Sequence, residues 1–415
     1  MEAVDHHFRH ARGRIVAALT KVFGLQNIDL AEDVTQDAFR KALEVWSIRG
    51  TPPDPAAWLM VTARNGALDV IRRESRLRTF DPEWDPMLQG EWTAESHLDR
   101  ILGPAAIKDD ELRLMFSCCH HGLSEEVQVA LILNLLSGFS VKEVASAYVS
   151  SGHAIEKRIS RGKRVLAESR TLFNVSRKQE FEERLPAVQR ALYLLFNEGY
   201  HSASSEAAIR AQLCAEAIRL TELLIEHPFG GTPSTYALAS LMCFNAARLR
   251  SRTDEQGELH SLIEQNRSLW DPGFIAAGAA HMSKSAFGLV ISEYHIEAML
   301  ASAHVQAPDL ESTDWSRIVG LYDHLLKLKP SPIIELNRAI AIGQRDGPKH
   351  GLVALRVIGD QQKLNQYPFF WVAQADFELK VGLREEARNS FLSALETARN
   401  PQERQFISAR LKSLE

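Results

Sequence analysis

Apolar residues recur every three to four positions along almost the whole chain, the spacing of one buried helical face. In "DLAEDVTQDAFRKALEVW" (29–46), Leu30, Val34, Ala38, Ala42 and Val45 share a face, while Asp29, Glu32, Asp33 and Asp37 occupy the other. Those carboxylates sit in the early turns, where the helix dipole favours negative charge. "RGTPPDP" then interrupts the pattern with Pro52, Pro53 and Pro55, and a second helix is expected over "AAWLMVTARNGALDVIRRESR". Runs of alternating β-branched residues joined by tight hairpin turns are missing. The expected fold class is all-α.

The same pattern predicts a helix, a tight turn and a helix in "GFSVKEVASAYVSSGHAIEKRISRGKRVLAESR". Ser140 with Glu143 three residues on makes a capping-box start for the first helix, and "SSG" breaks it. In the second helix Ile155, Ile159, Gly162 and Leu166 fall on one side, and Lys157, Arg158, Arg161 and Arg164 on the other. A helix-turn-helix requires such a division of its recognition helix, one side buried and the other free to meet phosphates and base edges. A solvated basic face on an ordinary helical hairpin would show the same division. What favours nucleic acid is a second arginine-rich helix upstream, with Arg64, Arg72, Arg73, Arg76 and Arg78 against Asp69 and Glu74.

Between the two lies a stretch of opposite charge. From Asp81 to Glu111 there are nine acidic residues against Arg100 and Lys108, with three prolines. Residues 79–109 read as an acidic linker. The chain beyond about residue 185 is rich in alanine and leucine, with breaks spaced tens of residues apart. "EEARNSFLSAL" offers Ala387, Phe391 and Ala394 at the offsets of a tetratricopeptide (TPR) repeat, with Trp371 where the aromatic of its first helix belongs. "IVGLYDHLLKLKP" offers Ile318, Tyr322, Leu325 and Pro330 at corresponding offsets, about two repeat lengths upstream. A non-repetitive bundle would also hold these residues. In either case the expectation is stacked helical pairs, an architecture suited to holding another protein or segment.

Composition adds bounds. The 415 residues are 45% hydrophobic and 24% charged, ordinary proportions for a chain with sizeable cores. The net charge of -5 excludes a surface that embraces nucleic acid everywhere but leaves room for basic patches. The four cysteines form no C-x-x-C pair, which suits a reducing cytosol. The start, "MEAVDHHFRHARGRI", has no apolar core of a secretory signal, and no long uncharged apolar run is present. A cytoplasmic protein without membrane contact is expected. "FSCCHHG" (116–122) sets Cys118, Cys119, His120 and His121 side by side, but adjacent helical residues point about 100° apart and cannot converge on one ion. Gly122 can end one helix there and Ser124 can cap the next. His6, His7 and His10 include an i, i+4 pair without a third ligand. "FGGTPS" lacks a P-loop lysine, and no catalytic motif is found. No enzyme activity, metal or cofactor is expected.

With these residues in view, "DLAEDVTQDAFRKALEVW" followed by "DPAAWLMVTARNGALDVIRRESR" resembles region 2 of the bacterial RNA polymerase sigma-70 family, extracytoplasmic-function (ECF) subfamily. "LSEEVQVALILNLLSGFSVKEVASAYVSSGHAIEKRISRGKRVL" resembles region 4 of that subfamily. The remainder, including "YLLFNEGY" and the terminal repeat-like unit, is similar to the long extension of an ECF branch with a TPR-like domain. "CCH" joins occur in that branch.

The resemblance implies region 2 over 5–78, the linker over 79–109, region 4 over 110–174 and a TPR-like, regulatory domain over 185–415. The implied partners are core RNA polymerase, through its β′ clamp helices and β-flap, promoter DNA, and a regulatory protein on the C-terminal domain. Matched positions give Asp33, Gln36, Asp37 and Phe39 as core-binding, with Phe39 alternatively plain core. Trp58, Thr62, Arg64, Asn65, Asp69, Arg72 and Arg73 match the segment that reads the −10 element. Trp58 could equally pack, and Asp69 could serve only to orient arginines. His153, Ala154, Lys157, Arg158, Arg161 and Arg164 match the helix that reads the −35 element. Val149 stands where many relatives have glycine, and Ala154 where threonine is common. These departures leave the −35 preference open. The rival reading is a stand-alone helix-turn-helix regulator with a TPR-like sensor domain, which would have no use for a polymerase-clamp helix.

Overall fold

A computed structural model describes residues 2–75, 104–147, 151–169, 172–200, 211–252, 260–359, 364–398 and 401–414. Every regular element among them is helical, as the periodicity predicts. Most of the expected acidic linker, with Arg76 and Arg78, lies outside the described residues, as do Val149 and the side chains of His6, His7 and His10. The chain divides into two compact units, residues 1–145 with 150–194, and residues 195–415 with 146–149.

The first unit opens with α1 (Glu2–Phe23), α2 (Ile28–Arg49) and α3 (Pro55–Ser75). Ile15, Leu19 and Phe23 of α1 pack with Val34 and Ala38 of α2 and with Leu59, Met60 and Ala63 of α3. Each large side chain buried there contributes about 1.5–3 kcal/mol. Gly50 ends α2 at φ +80, a backbone conformation nearly closed to residues with a Cβ, and its N–H closes on the Trp46 carbonyl at 3.0 Å. Asp54 then starts α3, its Oδ1 accepting the Ala57 N–H at 2.9 Å with Pro55 at the first helical position.

After the undescribed stretch come α4 (Pro104–Cys118), α5 (Glu125–Leu131), α6 (Val141–Ala147) and α7 (Gly152–Glu168). The first residues of α4 are the last of the stretch that reads as linker. Just beyond it, Asp110 and Glu111 are buried, and Asp110 pairs with Lys21 of α1 at 2.9 Å. α5 continues as a π-helical turn over Ile132–Leu136, where the Ser137 N–H reaches the Ile132 carbonyl. The widened turn frees the Asn134 carbonyl, which accepts from Arg12 Nη1 at 2.6 Å. Beside it Gly13 lies so close that a Cβ would stand 1.8 Å from the Leu136 carbonyl oxygen. α1 thus packs on both halves of the unit. The capping box forms as the sequence predicts: the Glu143 N–H donates to Ser140 Oγ, and the Ser140 N–H donates to Glu143 Oε2.

The "FSCCHHG" segment differs in detail from expectation. α4 stops at Cys118, so Gly122 does not end it, and Ser124 precedes α5 without a side-chain cap bond. Instead His120 Nδ1 accepts the Gly122 N–H at 3.1 Å, and Gln128 Nε2 donates to the His120 and Leu123 carbonyls. One imidazole and one amide satisfy the backbone of this turn, so glycine has no special conformation to supply. Cys118 and Cys119 are buried.

Helix α8 (Lys178–Tyr200) begins in the first unit and ends in the second. The second unit continues with α9 (Ala211–Glu226), α10 (Pro233–Ala246), α11 (Pro272–Ser285), α12 (Glu293–Gln306), α13 (Trp315–Leu328) and α14 (Pro332–Asp346). It closes with α15 (Pro348–Arg356), α16 (Pro368–Lys380), α17 (Arg384–Thr397) and α18 (Pro401–Lys412). Its helices share cores in sequence. α14 gives Ala341 to a cluster with Ile296, Leu300 and Ile318, and Leu336 and Ala339 to the next, with Leu352, Phe370 and Phe377. α16 gives Phe370 and Phe377 to that cluster, and Val372 and Ala375 to a third, with Ala387, Phe391, Ala394 and Ile407. Each such helix buries one face against the helices before it and another against those after, the packing of stacked helical pairs. Ala387, Phe391 and Ala394 are almost wholly buried, and Trp371 packs against two of the clusters.

Candidate nucleic-acid interface

Three helices of the first unit carry the expected site residues. On α2 the apolar stripe is consumed by the core, which turns Asp33, Gln36 and Asp37 outward, all exposed. Asp37 meets Arg40 at 3.2 Å, an exposed pair of little energetic weight. Phe39 is half-buried against the edge of the core. The packing alternative weighed for it holds for at least part of the ring.

On α3, Trp58, Thr62, Asn65, Asp69 and Arg72 follow each other at spacings of three and four, which aligns them along about 20 Å of helix. Asn65, Asp69, Arg72 and Arg73 are exposed, while Thr62 and Arg64 are half-buried. Trp58 is half-buried too, edge-on to Trp46 with ring centroids 5.4 Å apart, so it packs at least in part. Arg64 Nε is shielded from solvent without a hydrogen-bond acceptor among the described residues.

On α7 the division into faces is sharp. Ile155, Ile159, Gly162 and Leu166 are buried, and Gly162 admits the side chains of Leu131 and Val127 where a Cβ would come within 2.8 and 2.9 Å. Ser151 caps the helix, its Oγ accepting the Ala154 N–H at 3.2 Å. His153, Lys157, Arg161 and Arg164 are exposed, with Ala154 half-buried near the start. Arg158 is half-buried and pairs with Glu126 at 3.3 Å. Among the described residues, Lys157, Arg161 and Arg164 have no carboxylate partner, and His153 lies 3.9 Å from Glu156. Phosphate oxygens are the natural partners for such a face.

One residue of this helix does something that periodicity cannot reveal. Lys163 turns from the cationic stripe and pairs with Asp29 of α2 at 2.8 Å and with Glu32 of α2. Burial pushes its ammonium down, but the carboxylates of Glu32 and Asp29 more than reverse this, and it titrates above its ordinary 10.5. Glu32, buried, also accepts from Arg12 Nη2 at 2.7 Å. A buried carboxylate in a predicted polar face is the only local hint, because its partners lie 20 and more than 100 residues away in sequence. Among the described residues, no group of three or more histidine, cysteine or carboxylate side chains could hold a metal ion, and no helix is long and apolar enough to cross a membrane.

Residues 7–77, which span α1 to α3, match the sigma-70 region 2 family, so the N-terminal helices are a sigma-70 region 2 domain. Residues 184–286 match a family of unknown function, DUF6596. The uncharacterized protein R00370 of Rhizobium meliloti (strain 1021) is 36% identical over 411 residues, 99% of this chain and 96% of that protein. The chain belongs to one family with that protein. No solved structure matches it.

Proposed function

We propose that the protein is an ECF-type sigma factor that binds core RNA polymerase and directs initiation at specific promoters. In this reading Asp33, Gln36, Asp37 and the exposed edge of Phe39 meet the β′ clamp helices. Trp58, Thr62, Arg64, Asn65, Asp69, Arg72 and Arg73 engage the −10 element, the arginines on phosphates and Asn65 on base edges. α4 to α7 form region 4, docked on the β-flap. The start of α7, with His153 and Ala154, addresses bases of the −35 element, while Lys157, Arg158, Arg161 and Arg164 hold phosphates. The second unit is a TPR-like regulatory domain that receives a protein partner.

The observation that carries the reading is the sigma-70 region 2 match on α1 to α3, in one chain with a helix of cleanly divided faces at α7. A DNA-binding regulator would use the second feature and leave the first without a purpose. Gel filtration with purified core polymerase tests the reading. Co-elution at one chain per core, weakened at least tenfold by Asp33→Lys with Asp37→Lys, is expected. Separate elution at micromolar concentrations would overturn it.

A further inference from the structure

A cavity of about 460 Å³, open to solvent, lies in the first unit, and its lining includes none of the exposed cations of α3 and α7. Its polar wall comes from three places in the sequence: Arg113 and Ser117 on α4, His120 just after it, and Arg177, Glu180 and Arg184 at the start of α8. Leu25, Leu166, Leu172 and Phe173 supply an apolar wall.

The polar wall has an excess of positive charge. Three guanidinium groups face the cavity against the single carboxylate of Glu180, and that carboxylate is engaged by Arg177 at 2.8 Å. Arg184 donates from Nη1 to the Phe116 carbonyl at 3.2 Å, and its guanidinium lies 4.7 Å from the Phe173 ring centroid. Both contacts are with neutral groups and orient the cation, and Glu180 is the carboxylate of the wall that acts on it. Burial pulls Arg184 below its ordinary value of 12.5, and it also pulls His120 below 6.5, with His121 and Arg184 adding to the effect. Arg113 has its Nε shielded from solvent with no acceptor among the described residues. A buried donor left without an acceptor costs about 1–3 kcal/mol, and more when it is charged.

The size and the two walls narrow the chemistry. The volume falls within the range of small-molecule sites and would hold roughly fifteen water-sized groups. Three guanidinium groups against one carboxylate leave an excess of two positive charges, which matches a dianion, and a phosphomonoester carries about -1.5 to -2 at neutral pH. Planar guanidinium forks suit phosphate oxygens. The leucines and Phe173 offer contact to a carbon body, for which inorganic phosphate has no use.

We propose that this cavity binds a small phosphomonoester, its phosphate held by Arg113, Arg177 and Arg184 and its carbon body against Leu25, Leu166 and Leu172. Such an occupant would touch the last turn of α7 and the first turns of α8 at once. The assignment stands on the cavity alone and does not depend on the sigma-factor reading.

Isothermal titration calorimetry on the full chain, at constant ionic strength, tests it with phenyl phosphate and inorganic phosphate as probes. Saturable binding of phenyl phosphate is expected, at least tenfold tighter than that of inorganic phosphate. Arg177 is exposed, so R177Q should keep the fold and weaken binding about tenfold, the loss expected for one charge-assisted contact. R113Q should do the same, and R388Q, on the second unit, should change nothing. Absence of saturable binding by either probe would overturn the proposal, as would unchanged affinity in R177Q and R113Q. Equal affinity for the two probes would overturn the phosphomonoester assignment.

Discussion

Lys163 shows how one side chain can escape the pattern of its helix. Its neighbours on the polar side of α7 point to solvent, while its ammonium is spent on Glu32 and Asp29. Removing one member of a buried ion pair leaves the other without compensation, at a typical cost of 3–5 kcal/mol. Here Arg12 still serves Glu32, so Lys163→Met should destabilise the first unit by about 2 kcal/mol in urea unfolding. An unchanged midpoint would show that the contact carries no weight. The cysteines set a pH limit. Cys119 is pushed up to about 12 by burial, against the pull of Arg184, from an ordinary value of 9.0. Between those values the unfolded thiol gives up its proton and the folded one keeps it. Stability is then full below pH 9 and falls as the pH rises through that window. Melting temperature should decline from pH 9 to 11, and Cys119→Ala should make the decline shallower. An identical slope in that variant would contradict the assignment.

At the scale of elements, local chemistry was legible and distant chemistry was not. The capping box at Ser140 and Glu143, the break at Gly50, and the buried face of α7 all follow from residues within a few positions of each other. The repeat-like residues Ala387, Phe391 and Ala394 are buried as their spacing requires. The π-helical turn at Ile132–Leu136 could not be read, because its buried apolar run fits an α-helix equally well. Nor could its contact with Gly13 and Arg12, which depends on how helices more than a hundred residues apart pack. The two glycines at helix contacts give a discriminating pair of predictions. In Gly13→Ala the new Cβ meets a backbone oxygen that cannot yield, so a loss of about 2–3 kcal/mol is expected after the helix-propensity gain of about 1 kcal/mol. In Gly162→Ala it meets the ends of Leu131 and Val127, which can shift, and the change should stay within about 1 kcal/mol of zero. Urea midpoints of the two variants check both values, and a Gly13→Ala protein as stable as the parent would refute the close approach.

For the whole molecule, the account joins a sigma-70 region 2 domain, a helix with one cationic face and a second unit of stacked helices in one chain. The "FSCCHHG" segment, which looks like a metal site in the sequence, is a hydrogen-bonded turn with two buried thiols, and its His120 lines the arginine-rich cavity. The net charge of -5 gave no sign of the basic faces of α3 and α7, because their cations are a small share of the 48 lysines and arginines, which 53 acidic residues outweigh in the total. The most direct test of the central claim is run-off transcription with purified core polymerase, the full chain and a pool of promoter-bearing fragments. Transcripts that appear only with the chain present, and that fall at least tenfold when Arg161 and Arg164 are both replaced by alanine, are predicted. No chain-dependent transcript from any fragment would contradict the account.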